Sequence, residues 1–311
     1  MNRAAVRPRV VIVDGMPMSA LVAEAADSEA PKAVIVAIHG GGTTAAYFNC
    51  PGHPSSSLLR SGAAAGFTVV ALDRPGYGSS APYPEAMARP EQRVNLAYAA
   101  VDRILGQGSQ GTPRGAALFV IAHSAGCELA LRMGADERGA DLLGMELAGT
   151  GRRYQPARKI LETPTRERRQ AGLRELLWHP ERLYPPDILA GATVRPTAPA
   201  YEDQMVPNWR RHDFAALAPA IRVPVQFTVG EYERIWETDD SALAEIAAMF
   251  SAAPRFTINQ QPGAGHNISL GHTAPAYHSK VLSFAEECVA ARGSGSPRPR
   301  RDAPDERQLG Q

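Results

Sequence analysis

The chain has 311 residues, 44% of them hydrophobic and 21% charged, and 33 Lys and Arg stand against 32 Asp and Glu for a formal charge of +1. That length can bury a substantial core as one large domain or two small ones. The balanced charge excludes a generally basic nucleic-acid binder, and no run approaches 18 consecutive apolar residues, which excludes a membrane-spanning helix. Residues 1–30 lack the continuous apolar stretch of a secretory signal. The three cysteines, Cys50, Cys127 and Cys288, are too few and too scattered for a disulfide framework. A soluble cytoplasmic protein without membrane or nucleic-acid partners is the expectation.

In chain order, residues 10–13 and 19–23, split by Asp14-Gly15 and Pro17, predict an antiparallel hairpin. Residues 33–38 are a continuous apolar run ending in His39-Gly40-Gly41-Gly42. A helix at 55–65 leads to a second run, 67–72, which ends in Asp73-Arg74-Pro75-Gly76. A helix at 90–105 precedes the third run, 118–122, which ends in His123-Ser124 and passes straight into a helix at 125–133. Strands at 142–147, 225–229 and 256–258, less uniformly apolar, and helices at 240–250 and 275–291 complete the set. Apolar runs without alternation are what parallel strands buried on both faces look like. Their regular exchange with helices means a mostly parallel, eight-stranded α/β sheet with helices on both faces and right-handed crossovers.

Residues 151–219 break the rhythm with helical pieces, many prolines and no buried-strand run. They read as a helical cap inserted into a core domain made of residues 1–150 and 220–291. The prolines cut this cap into short pieces, expected to pack on the core by side chains alone, as a mobile lid does. Residues 292–311 contain one large aliphatic residue, Leu309, and read as a disordered tail.

Ligands on open parallel sheets bind at the carboxyl ends of the strands. The third run ends Ala122-His123-Ser124-Ala125-Gly126: strand, sharp turn, helix, with a serine at the apex and small residues two before and two after. Bulk at those positions would collide across a strained turn that exposes the serine hydroxyl. A serine needs a base and a site for an oxyanion. Side-chain-free N–H groups in Gly40-Gly41-Gly42 can face that oxyanion, with the N–H of Ala125 as a second donor. Gly230-Glu231-Tyr232-Glu233 offers two carboxylates, and Gly265-His266 puts a histidine on a Gly-rich loop after the last strand. Serine, then acid, then histidine is one chain order of the convergent serine triad.

With these motifs, and with Asp73-Arg74-Pro75-Gly76-Tyr77-Gly78-Ser79, the sequence resembles α/β-hydrolase-fold enzymes that carry a cap, over about residues 10–291. The resemblance implies Ser124 as nucleophile, His266 as general base, Glu233 as orienting acid, and Gly41 and Ala125 as oxyanion donors, with Gly42 beside them. Two positions depart from the family pattern. Ala122 replaces the first glycine of the elbow, and Glu233 stands where Asp is commoner, so Glu231 remains a competitor. An acyl-enzyme hydrolase of an ester, thioester, lactone or amide of a mid-sized, partly aromatic small molecule is expected. The alternatives on the same fold are a cyclase, lyase or carbon–carbon bond-forming enzyme of secondary metabolism, or a ligand-binding receptor.

Other residues read more plainly. His39 and His123 are structural hydrogen-bonders, His272 and His278 surface residues, Cys127 a core residue, and Asp73-Arg74 a brace between loops. Nine basic residues against four acids between Arg152 and Arg182 are a solvated face before they are an anion site. Trp178, Trp209 and Trp236 either line the pocket or form the cap's own core. Gly106-Gln107-Gly108-Ser109-Gln110-Gly111 has the spacing of a dinucleotide fingerprint, but it follows a helix where that mechanism needs a strand. No His, Cys or carboxylate cluster has metal-ligand spacing. Neither cofactor nor metal is expected.

Overall fold

The computed structural model describes residues 5–26, 30–106, 115–157, 166–191 and 197–294. The glycine-spaced segment at 107–111, most of the final tail and part of the basic stretch lie outside them.

Eight strands form one sheet in the order β1-β2-β4-β3-β5-β6-β7-β8. They are β1 (Arg7–Val13), β2 (Met16–Ala23), β3 (Val34–Ile38), β4 (Thr68–Leu72), β5 (Leu118–His123), β6 (Gly144–Ala148), β7 (Val225–Gly230) and β8 (Phe256–Gln261). The opening hairpin pairs Val13 with Met16 and turns on Asp14 and Gly15, both at positive φ (49° and 79°). That two-residue turn matches strand twist and suits Asp-Gly. β2 runs antiparallel to β4, and every later pairing is parallel.

Strands β3 to β7 are buried along their whole length. Successive side chains point to opposite faces, so Val34, Val36 and Ile38 enter one apolar cluster while Ile35 and Ala37 enter the other. The first cluster is covered by α2 (Pro90–Gly106) and α3 (Gly126–Ala135); the second by α1 (Leu58–Ala64) and α9 (Ala274–Ser294). The later strands carry polar groups for two reasons. β8 is an edge, with Thr257, Ile258 and Gln260 exposed. β6 buries Glu146, whose Oε1 accepts from the Tyr277 hydroxyl at 3.1 Å, and burial pushes its carboxyl up to about 8, only partly offset by hydrogen bonds from Thr228, Tyr277 and Gln226. His278 is also buried, with Nε2 3.0 Å from Ser269 Oγ, so its expected place at the surface is corrected. It sits four residues after Ala274 and three before Val281, on the inward stripe of α9. α9 also runs past the expected start of the tail, with Arg292 donating to the Asp141 carbonyl at 2.6 Å.

Between β6 and β7 the chain leaves the sheet as α4 (Arg166–Leu177), α5 (Pro186–Gly191), α6 (Glu202–Asn208) and α7 (Phe214–Leu217). A π-helical turn, Trp209–Asp213, joins the last two after Pro207. Side chains are not the sole attachment. The N–H of His272 donates to the Leu183 carbonyl at 2.9 Å, and that of Gln155 to the Ile235 carbonyl at 2.9 Å. α8 (Asp240–Met249) follows β7. No helix among the described residues is long and apolar enough to cross a membrane.

Candidate active site

Ser124 follows β5 at φ 52°, a left-handed conformation that a serine adopts only under constraint. Its N–H is held by the Ala148 carbonyl at 2.8 Å, and its carbonyl takes the N–H of Cys127 at 3.0 Å, the first turn of α3. The small neighbour two residues on is required by space: a Cβ on Gly126 would lie 2.5 Å from the His39 carbonyl oxygen. β3 and the start of α3 thus approach backbone to backbone, which brings the His39–Gly42 loop beside the serine.

His266 comes from the loop after β8 and is fully buried. Its Nε2 lies 3.0 Å from Ser124 Oγ and its Nδ1 2.8 Å from Glu233 Oε2. A carboxylate only accepts, so Nδ1 carries the proton and Nε2 offers a lone pair to the serine hydroxyl. Glu233 sits beyond β7, and its other oxygen takes the N–H of Ile235 at 2.8 Å. Burial pushes its carboxyl up, but the adjoining His266 and the N–H groups of Ile235 and Trp236 outweigh it and hold the group below its ordinary value. Glu231 is exposed and accepts from the N–H of Gly263 at 2.8 Å, bracing the histidine loop without reaching the histidine. Close packing of the two loops needs glycine at 230, where a Cβ would lie 2.7 Å from the carbonyls of Ala264 and Gly265.

The other two site histidines are structural. His39 Nε2 accepts the N–H of Arg74 at 3.0 Å and its Nδ1 donates to the Gly40 carbonyl at 2.8 Å; burial first, then the Arg74 charge, keeps its value well below the usual range. His123 stacks on Tyr47 at 4.5 Å and donates from Nε2 to the His266 carbonyl at 2.8 Å, with burial and the neighbouring His266 depressing it to about 3. It therefore fixes the backbone of His266 as a neutral ring. Asp73 accepts from the N–H of Ala45 at 2.7 Å and the Ser19 hydroxyl at 2.6 Å, a brace between loops as expected. Cys127 is a buried core residue.

Near Ser124, the N–H groups of Gly41 and Ala125 carry no hydrogen bond among the described residues. A Cβ on Gly41 would sit 3.7 Å from that of Ala125, so the two are neighbours. Gly42 is different: its N–H is donated to the Tyr77 hydroxyl at 3.0 Å. Its N–H is thus engaged, and Gly42 meets the cavity as a lining residue.

That cavity measures about 360 Å³ and is bounded by Tyr47, Ser124, His266 and Leu270 from the core and by Leu177, Trp178, Asp187 and Ile188 from α4, α5 and the segment between them. Trp178 is the tryptophan that meets it. Trp209 donates to Thr150 Oγ1 at 3.1 Å and packs on Phe214; Trp236 donates to the Gly149 carbonyl at 3.1 Å and packs on Tyr154. Both belong to the packing beneath. Of the nine basic residues, the four whose side chains are described, Arg152, Arg153, Arg174 and Arg182, do not line the cavity; Arg153, for one, pairs with Glu237 and Glu245. Among the described residues no group of three His, Cys, Asp or Glu side chains is placed to hold a metal ion.

A mostly parallel sheet in this strand order, with a half-buried serine at a strand-to-helix turn, defines a hydrolase-type α/β protein. The alpha/beta hydrolase family model matches residues 35–277, and the chain belongs to that family. No curated protein sequence matches it. Its solved structural neighbours include a thermostable carboxyl esterase from Bacillus coagulans, at TM-score 0.65 and 18% identity over 92% of this chain and 99% of that one. A proline iminopeptidase from Mycobacterium smegmatis aligns at TM-score 0.60 and 17% identity, over 92% and 99%. An N-acyl homoserine lactonase mutant in complex with N-hexanoyl homoserine aligns at TM-score 0.60 and 15% identity, over 91% and 98%.

Proposed function

We propose that the protein is a serine hydrolase that cleaves an ester, thioester, lactone or amide of a mid-sized small molecule through an acyl-Ser124 intermediate. The observation that carries this reading is the unbroken line from Ser124 Oγ to His266 Nε2 at 3.0 Å and from His266 Nδ1 to Glu233 at 2.8 Å. Ser124 Oγ attacks the acyl carbonyl while His266 takes its proton, and Glu233 steadies the imidazolium that forms. The oxyanion faces the N–H groups of Gly41 and Ala125. His266 then returns the proton to the leaving group, and a water molecule, deprotonated by the same ring, releases the acid. Residues 151–219 act as a cap that closes the cavity, and Trp178 and Leu177 favour an acyl group with a flat or apolar part.

A fluorophosphonate probe should label the wild type at Ser124 and leave Ser124→Ala unlabelled. Turnover of p-nitrophenyl acetate should fall by about 10³-fold or more in Ser124→Ala, with the melting temperature kept, since only a half-buried hydroxyl at a turn is removed. A variant that keeps near-native turnover overturns the proposal.

A further inference from the structure

Gly41 is flanked by two peptide units, and both are tied to one carboxylate of the cap. The peptide that carries the Gly41 N–H also carries the Gly40 carbonyl, and in a planar trans unit the two point in opposite directions. That carbonyl accepts from Arg74 Nη2 at 3.1 Å and from His39 Nδ1 at 2.8 Å. Fixing the oxygen on one side aims the N–H on the other, and donors on the carbonyl also polarise the N–H. The next peptide is held through the Gly42 N–H, 3.0 Å from the Tyr77 hydroxyl. Tyr77 passes its own proton to Glu202 Oε1 at 2.8 Å, and Arg74 ion-pairs with that same oxygen. The Arg74 side chain is 1% exposed and the Glu202 side chain 8%, with the guanidinium 4.8 Å over the Tyr77 ring. The second oxygen, Oε2, lies 3.2 Å from where a Cβ on Gly41 would stand.

We propose that Glu202, on α6 of the cap, is a positioning residue for the oxyanion donor at Gly41. The inference rests on the reading of Gly41 as that donor. Arg74 and Tyr77 are the two arms of a clamp, each holding one peptide beside Gly41, and Glu202 orients both. Rotation of the Gly41 backbone out of line requires breaking bonds that converge on this carboxylate. The donor geometry is therefore complete only with α6 docked.

The test is steady-state hydrolysis of p-nitrophenyl acetate by the wild type, Glu202→Ala, Glu202→Gln, Tyr77→Phe and the Glu202→Ala/Tyr77→Phe double variant. Alongside it, the inhibition constant of a trifluoromethyl ketone, whose hemiketal oxygen takes the place of the oxyanion, is measured for each. Loss of a whole donor costs about 10²–10³ in kcat, so its misalignment in Glu202→Ala is expected to cost about tenfold or more, with KM kept within about twofold. The ketone should weaken in proportion to the fall in kcat/KM. Glu202→Gln, which still accepts from Tyr77, should retain more activity, and the double variant should fall no further than the worse single one. Unchanged kcat, or a loss confined to KM with unchanged ketone affinity, makes Glu202 an ordinary cap residue and overturns the inference. If Glu202→Ala does not fold, Tyr77→Phe and Glu202→Gln decide by the same two readouts. The reading beneath is tested separately: Ser124-dependent turnover that ignores Glu202 sinks the positioning role alone, whereas turnover in Ser124→Ala, or none in the wild type, sinks both.

Discussion

Helices α4 and α5 and the segment between them meet the Ser124 end of the sheet through side chains that line a cavity; α6 and the turns that flank it are bonded into the core. In the first half of the cap, Leu177, Trp178, Asp187 and Ile188 face the space above Ser124. Among the described residues, α4 and α5 make one ion pair to the core, Asp187 to His53 at 2.9 Å, with side chains 65% and 29% exposed. In the second half Glu202 meets Arg74 out of solvent, Asp213 meets Arg132 at 2.8 Å, Trp209 bonds Thr150, and the Tyr201 hydroxyl donates to the Pro75 carbonyl at 2.9 Å. A wall made of apolar side chains can change its shape and leave the chemistry intact. A clamp on the oxyanion loop cannot. On the proposed function, substrate choice and catalytic geometry are thus carried by different helices of one insertion.

The sharpest way to break this contrast is through the two ion pairs. Arg74→Met leaves the Glu202 carboxylate buried without its partner, and losing one member of a buried pair typically costs about 3–5 kcal/mol. His53→Ala removes a partner that water already competes with, and should leave the unfolding midpoint unmoved within error. Denaturant unfolding of both variants checks this. Equal losses would mean that the two halves are anchored alike.

A second prediction concerns the wall. Trp178 is buried at the cavity margin, edge-on to Tyr184 at 4.9 Å. Trp178→Ala should shift the ratio of kcat/KM between a long or aromatic acyl ester and p-nitrophenyl acetate by about tenfold, or 1.4 kcal/mol. Turnover of the acetate itself should change little, because it needs only the serine, the histidine and the donors. Parallel loss on both substrates together with a lowered melting temperature would make Trp178 a structural residue like Trp209.

What was legible in the sequence follows the range of the interactions. The serine turn is local: a buried strand, a strained residue and small neighbours lie within five consecutive positions, and Ser124 at φ 52° answers that pattern. Glu233 was separable from Glu231 by its distance past Gly230, which lets the loop turn its carboxylate back toward His266. The clamp was not legible. Arg74 and Tyr77 sit in a visible motif, but their partner Glu202 lies more than 120 residues away in a segment with no strand pattern, and nothing local distinguishes it from Glu181 or Asp203. The partner of the Gly42 N–H was illegible for the same reason, since it depends on where the Tyr77 hydroxyl ends. Trp209 and Trp236 were ambiguous because a tryptophan has the same hydrophobic signature in a pocket wall and in a core.

Measuring the two halves by melting temperature also requires a correction that comes from outside the cap. Glu146 is fully buried under α9, and burial raises its carboxyl from the ordinary 4.5 to about 8 in the folded protein. The folded state therefore binds this proton more tightly than the unfolded chain does. Its contribution to stability is fully present below the unfolded value and is lost as pH rises from about 4.5 to about 8. Glu146→Gln keeps an amide oxygen to accept from Tyr277 and removes the titration. The melting temperature of the wild type relative to Glu146→Gln should accordingly fall as pH rises from about 4.5 to about 8, the contributions of the buried histidines being common to both. Arg74→Met and His53→Ala compared in the Glu146→Gln background are then free of the Glu146 titration. Wild type and Glu146→Gln curves that run parallel across the whole range would show that Glu146 does not bind its proton on folding.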